Sequence, residues 1–148
     1  MNHIDNNATS TEDRIAYAQA AFKGTYSEAL GLQLLECKDG YCRAMLPIKD
    51  EFLNPLGGLH GGFMYTIADT VGGVAATRMG SGQSVTTISG TMQFYRAALN
   101  LTELYAEAKV VKDGKRVVFV DTEVTSKDGT VYSKASFSFA RLDRKSVV

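Results

Sequence analysis

The sequence predicts an α+β domain in which a curled antiparallel sheet of five to six strands wraps around one long apolar helix. Two observations carry this. Three Asp-Gly pairs, Asp39-Gly40, Asp113-Gly114 and Asp128-Gly129, each lie between strand-like runs, which is the mark of tight hairpins and hence of antiparallel neighbours. Between the first hairpin and the later strands, residues 61–79 form one long helix candidate in which Asp69 is the only charge from 61 to 77, too apolar to stand in solvent. Such a helix must be buried, and a sheet that curls around it does so.

Residues 1–10 lack apolar periodicity and read as a loose arm, and 11–148 read as a single domain. Ser10 as N-cap with Asp13 at the third helical position predicts a short helix to about Lys23. From Gly31 the pattern changes to strands. Cys37 and Cys42 flank the first Asp-Gly turn at a spacing that sets them opposite each other, and they read as reduced core thiols. In 131–139, Val131, Ala135, Phe137 and Phe139 share one face while Tyr132, Lys134, Ser136 and Ser138 share the other. Residues 101–111 alternate similarly. In 84–96 the even positions Ile88, Met92 and Phe94 oppose a polar, uncharged face of Thr87, Ser89, Thr91 and Gln93.

The 148 residues carry 16 basic and 16 acidic side chains, a formal charge of zero, so there is no electrostatic footprint for nucleic acid or an anionic membrane. No run approaches the roughly 20 apolar residues of a membrane helix, and Met1–Ser10 is polar, unlike a secretory signal. The expectation is a soluble cytoplasmic protein needing no cofactor or metal.

A carboxylate in a buried helix is costly unless it is paired or has a task. Asp69 has Tyr65, Thr66, Gly72 and Gly73 as its helical neighbours, a small and polar face with room for another molecule or backbone. On the helix alone, a structural hydrogen bond explains Asp69 as well as catalysis does. The preceding run, Asn54-Pro55-Leu56-Gly57-Gly58-Leu59-His60-Gly61-Gly62, shifts the balance. Glycines at a helix entrance expose backbone N–H groups, which the helix dipole suits to a developing oxyanion. Glycine there can equally be turn chemistry, and a histidine at such a junction is more often a structural hydrogen-bonder than a base.

Taken together, residues 54–69 read N-x-x-G-x-L-H-G-G-x-x-x-x-x-x-D and resemble the motif of PaaI-type thioesterases of the hotdog superfamily. The resemblance extends over Gly31–Arg141. It implies the hotdog fold and hydrolysis of an acyl-CoA thioester, with the Gly61 N–H polarising the carbonyl and Asp69 acting as general base or nucleophile. It further implies that Asn54 helps to position the site, and that Thr87 stands where the family often has serine, keeping a hydroxyl for the lytic water. His60 and Gly62 join the site as members of the same motif, His60 with the catalytic set and Gly62 with the substrate contacts. Two rival readings are a hotdog hydratase or dehydratase and a noncatalytic acyl-CoA-binding module.

Gly61 and Asp69 are eight residues apart, about 12 Å along a helix, so they cannot both touch one carbonyl. If both act, each site combines Gly61 of one subunit with Asp69 of another, and the protein is a homo-oligomer with sites at the dimer interface. Tetramers are common in the resembled family. Lys115 and Arg116 are the candidates for the CoA phosphates, with Lys112 on the same hairpin, and Arg141, Arg144 and Lys145 form a second basic cluster suited to the same role. Phe63, Met64, Tyr65 and Phe94 are candidates for lining the acyl pocket, and the acyl group itself is not legible.

Overall fold

The computed structural model describes residues 10–143; Arg144, Lys145 and all of the expected arm except Ser10 lie outside the described residues. Two helices come first, α1 (Thr11–Phe22) and α2 (Tyr26–Ala29). Strands β1 (Gln33–Lys38) and β2 (Tyr41–Pro47) follow, then a 3-10 turn at Asp50–Phe52 and the long helix α3 (Gly61–Ala76). Strands β3 (Gln83–Phe94), β4 (Glu103–Asp113), β5 (Val117–Thr125) and β6 (Val131–Asp143) complete the described chain. All six strands form one antiparallel sheet in the order β1-β2-β4-β5-β6-β3. The helix α3 packs against every strand, which makes this the expected sheet around a helix.

Local chemistry accounts for the elements. Ser10 and Asp13 form a reciprocal capping box that starts α1. Gly40 and Gly129 adopt φ of 71° and 87°, the left-handed geometry their hairpins need. Alternation holds in β4, β5 and β6, whose inner positions are buried beneath α3. There Ile67, Ala68 and Val71 meet Leu104, Val118, Val120 and Phe139 in a dry core. Cys37 and Cys42 do face each other, with sulfurs 3.5 Å apart as free thiols. The hydrogen bond from Cys42 holds the Cys37 thiol below its usual range, while the same bond and burial push the Cys42 thiol up.

Two expectations are corrected. The long helix ends at Ala76 rather than Met79, because Thr77 turns extended and its hydroxyl donates to the Gly73 carbonyl at 2.8 Å. Arg141 then caps the helix, donating from Nη1 to the Ala76 carbonyl at 3.1 Å. Second, β3 does not carry one continuous polar face. Thr87 pairs with Phe139 but Ser89 pairs with Ser138, so Ile88 is a bulge residue at which the faces exchange. Val85 and Thr87 face the helix before the bulge; Gly90, Met92 and Phe94 take over that side after it, and Ser89, Thr91 and Gln93 turn outward.

Candidate active site

Asn54 opens the loop that leads into α3 and closes it on itself. Its Oδ1 accepts from the Leu56 N–H at 2.9 Å and the Gly58 N–H at 3.2 Å, while its own N–H donates to the Gly58 carbonyl at 2.7 Å. Gly57 lies at φ 84° within this turn. The Leu59 N–H continues the anchoring to the Ala98 carbonyl at 3.0 Å, so the entrance to the helix is fixed from both sides.

The first turn of α3 has four N–H groups without an intrahelical acceptor. The His60 N–H donates to the Phe52 carbonyl at 2.9 Å, the Gly62 N–H to His60 Nδ1 at 2.9 Å and the Phe63 N–H to the His60 carbonyl at 2.9 Å. Among the described residues, nothing accepts from the Gly61 N–H. One donor out of four is therefore left open, at the positive end of the helix dipole. His60 is the N-cap, and accepting at Nδ1 requires the neutral tautomer protonated at Nε2. The Gly62 N–H is spent on that cap. A side chain at Gly61 would meet the Phe94 ring, with Cε1 3.0 Å from the position of its Cβ.

Two turns further along α3, Asp69 is half-buried and its Oδ1 accepts from Thr87 Oγ1 at 2.5 Å. The short distance suits a hydroxyl bound to a carboxylate. Oδ2 has no partner among the described residues. The structure thus joins Asp69 to Thr87, while Asn54 closes the loop at Gly58 and His60 caps the helix at Gly62 on either side of Gly61, and Gly61 and Asp69 remain eight residues apart on α3.

The glycines beside Asp69 differ in purpose. Gly72 gives room to the protein's own core, since a Cβ there would sit 3.2 Å from Phe139 Cζ. At Gly73 a Cβ would make only ordinary contacts, 3.7 Å to Phe139 Cε1 and 3.9 Å to Val85 Cγ2. The aromatic candidates for an acyl pocket are largely committed elsewhere: Phe63 stacks on Phe52 at 4.3 Å, Met64 is core, and Tyr65 packs edge-on against Phe137 at 5.3 Å. Lys115 and Arg116 are exposed on the β4–β5 hairpin. That hairpin is tied to the far end of α3 by Arg141, whose Nε donates to the Gly114 carbonyl at 3.3 Å and which also pairs with Asp113. Arg141 itself is 3% exposed at its side chain and is spent on these contacts.

The role of the bulge at Ile88 was not legible in the sequence, because nothing in Thr-Ile-Ser marks a two-against-one pairing. The exposed edge strand could have been noticed: the twelve residues of β3 carry no charge at all.

Comparison with known proteins places the chain in a family. Residues 56–133 match the family described as Thioesterase superfamily. A protein of Archaeoglobus fulgidus named as an esterase is 30% identical over 113 residues, covering 71% of this chain and 72% of its own length. Among solved structures, the E. coli PaaI protein from the phenylacetic acid degradation operon superposes with a TM-score of 0.80 at 21% identity, covering 89% of this chain and 95% of that one. A Streptococcus mutans protein solved with acetyl-CoA bound gives a TM-score of 0.69 at 21% identity, over 76% of this chain and 89% of that one.

Proposed function

Since the chain belongs to the thioesterase superfamily and is a thioester hydrolase, we propose that it cleaves acyl-CoA thioesters to free acid and CoA at sites shared between two copies. The observation that carries this is the single open N–H of the α3 entrance, at Gly61, on the same helix as the Thr87-oriented Asp69. The carbonyl oxygen accepts from Gly61 of one copy, which stabilises the oxyanion. Asp69 of the other copy acts through Oδ2, either taking a proton from water as it attacks or attacking the carbonyl itself. In the first case the C–S bond breaks as Asp69 returns the proton to the sulfur, giving free acid and CoA thiol; in the second the CoA thiolate leaves and is protonated by solvent, and water then cleaves the acyl–Asp69 anhydride to release the acid and restore the carboxylate. Asn54 and His60 act indirectly by holding Gly61 in place, and Thr87 by orienting Asp69. The CoA moiety is supported by the acetyl-CoA carried by the Streptococcus mutans neighbour.

The sharing follows from distance and from the edge of the sheet. At about 12 Å apart, the two groups of one helix cannot serve one carbonyl. Strand β3 ends the sheet, is long and uncharged, and exposes Ile88 and Phe94, with Tyr95 beyond its end, at 56%, 52% and 54%. Such an edge is suited to pairing with its own copy. Within one chain Gly61 abuts Phe94 and Asp69 binds Thr87. A two-fold pairing of β3 with β3 that aligns Phe94 with the other copy's Thr87 has its axis between Gly90 and Thr91, and it brings each Gly61 toward the other chain's Asp69. The far edge strand, β1, is short and carries Glu36 and Lys38, and its Cys37 carbonyl accepts from Thr11 Oγ1 of α1 at 2.9 Å.

The test is thiol release by purified protein from a panel of acyl-CoAs, with Asp69→Asn alongside. Turnover should fall at least about 100-fold in the variant without change of fold or oligomer. Near-normal turnover would remove Asp69 from the mechanism. Acyl-CoA binding without any thiol release by the native protein would favour the noncatalytic module instead.

A further inference from the structure

A cavity of about 270 Å³ lies between α1, α3 and the start of β3. We propose that it is the acyl subsite of the reaction above and that it takes an unbranched alkyl chain; the assignment rests on that reading.

Its position connects it to the carboxylate. Thr70, the residue after Asp69, and Gly73, one turn on, form one wall. Val85 forms part of the wall opposite, two residues before Thr87 on the same helix-facing side of β3. Along α3 the lining runs from Thr70 to the C-cap Thr77, about 10 Å. A volume at the low end for ligand pockets suits an acyl group and not the much larger nucleotide.

The chemistry of the walls selects the occupant. Ala18, Phe22, Val74 and Met79 supply apolar surface, and the polar side chains in the lining, among them Tyr17, Gln83 and Ser84, are uncharged apart from the two rim cations. The cations at the rim, Arg14 and Lys38, are each paired 2.8 Å from a carboxylate, Asp39 and Glu36. An acetyl group would leave most of the cavity without contacts, and a single ring next to the thioester would reach only its near part.

Gly73 is an independent indication. Glycine in mid-helix is unfavourable relative to alanine, and at Gly72 the Phe139 ring explains it. At Gly73 an added Cβ would make only ordinary contacts, 3.7 Å to Phe139 Cε1 and 3.9 Å to Val85 Cγ2, so the protein's own packing does not demand glycine there. An alkyl chain passing from Asp69 along α3 uses the room that glycine leaves.

The test compares kcat/KM for acetyl-, benzoyl- and decanoyl-CoA in the native protein, in Ala21→Trp, which places an indole in the cavity from an exposed position on α1, and in Gly73→Ala. Decanoyl-CoA should be preferred in the native protein, and the decanoyl-to-acetyl ratio should fall at least about tenfold in Ala21→Trp. Gly73→Ala, whose added carbon meets no close neighbour, should shift the ratio the same way by less. Titration calorimetry with decanoate on the same proteins decides the inference without any hydrolysis, and should show binding that Ala21→Trp weakens at least about tenfold. Preference for acetyl- or benzoyl-CoA, or decanoate binding indifferent to both substitutions, would overturn the assignment. Loss of all turnover on every acyl-CoA with decanoate binding intact would defeat the hydrolase reading and leave the alkyl site standing.

Discussion

Replacing Gly61 with proline deletes one N–H and little else. Gly61 is the first helical position after the His60 cap, where proline is favoured, and His60 has ψ of 130°, the extended conformation that a following proline requires. No hydrogen bond is lost, because the Gly61 N–H donates to nothing among the described residues. The added ring meets Phe94 Cε1, 3.0 Å from the new Cβ, a contact that a shift of the Phe94 ring by a few tenths of an ångström relieves. That crowding is opposed by about 0.4–1 kcal/mol from restricting the unfolded chain, so the unfolding transition should barely move. Catalysis should respond differently. Losing one oxyanion donor costs about 2.7–4 kcal/mol, or about 10²–10³ in turnover. Gly61→Ala is the necessary control, since it makes the same contact with Phe94 but keeps the N–H. Thiol release and thermal unfolding are measured on all three proteins. A proline variant that is folded and turns over as fast as the alanine variant would refute the assignment of the Gly61 N–H as the oxyanion donor.

Further predictions follow from the same geometry. Thr87→Val removes the hydrogen bond to Asp69 while keeping shape; a bond to a charged group is worth about 1.5–3 kcal/mol, so turnover should fall by roughly 10- to 150-fold with a smaller change in substrate affinity. An unchanged turnover number would mean that Thr87 does not orient the carboxylate. Mixing Gly61→Pro with Asp69→Asn should restore activity toward half the native value per mixed dimer, since one of its two sites is then native at both positions. Absence of rescue, with mixed dimers demonstrated by native mass spectrometry, would defeat the shared site. Gly90→Ala would drive a Cβ into the Phe137 ring and the Tyr65 hydroxyl, an overpacking that should cost about 1–3 kcal/mol in denaturant unfolding. A variant as stable as the native protein would show that those rings move aside freely.

The sequence by itself determined the elements and the chemistry-bearing motif. The Asp39-Gly40 and Asp128-Gly129 pairs marked their hairpins because left-handed backbone geometry is a local property, and a capping box announced α1 for the same reason. The 54–69 motif named Asn54, Gly61 and Asp69, since a glycine-rich helix entrance and an isolated carboxylate are visible without any partner. Tertiary structure alone decided how those residues are used. Whether an N–H is open depends on acceptors from elsewhere: Phe52 takes one donor, His60 takes two, and Gly61 is left. Which side of β3 faces α3 depends on pairing with β6, where one bulge at Ile88 brings Thr87 to Asp69 and turns Ser89 away. The distinct purposes of Gly72 and Gly73 depend on where Phe139 lands. Local conformation is written in neighbouring residues, whereas satisfaction, facing and free space are set by groups distant in sequence, and these decide which of the motif's atoms can meet a substrate.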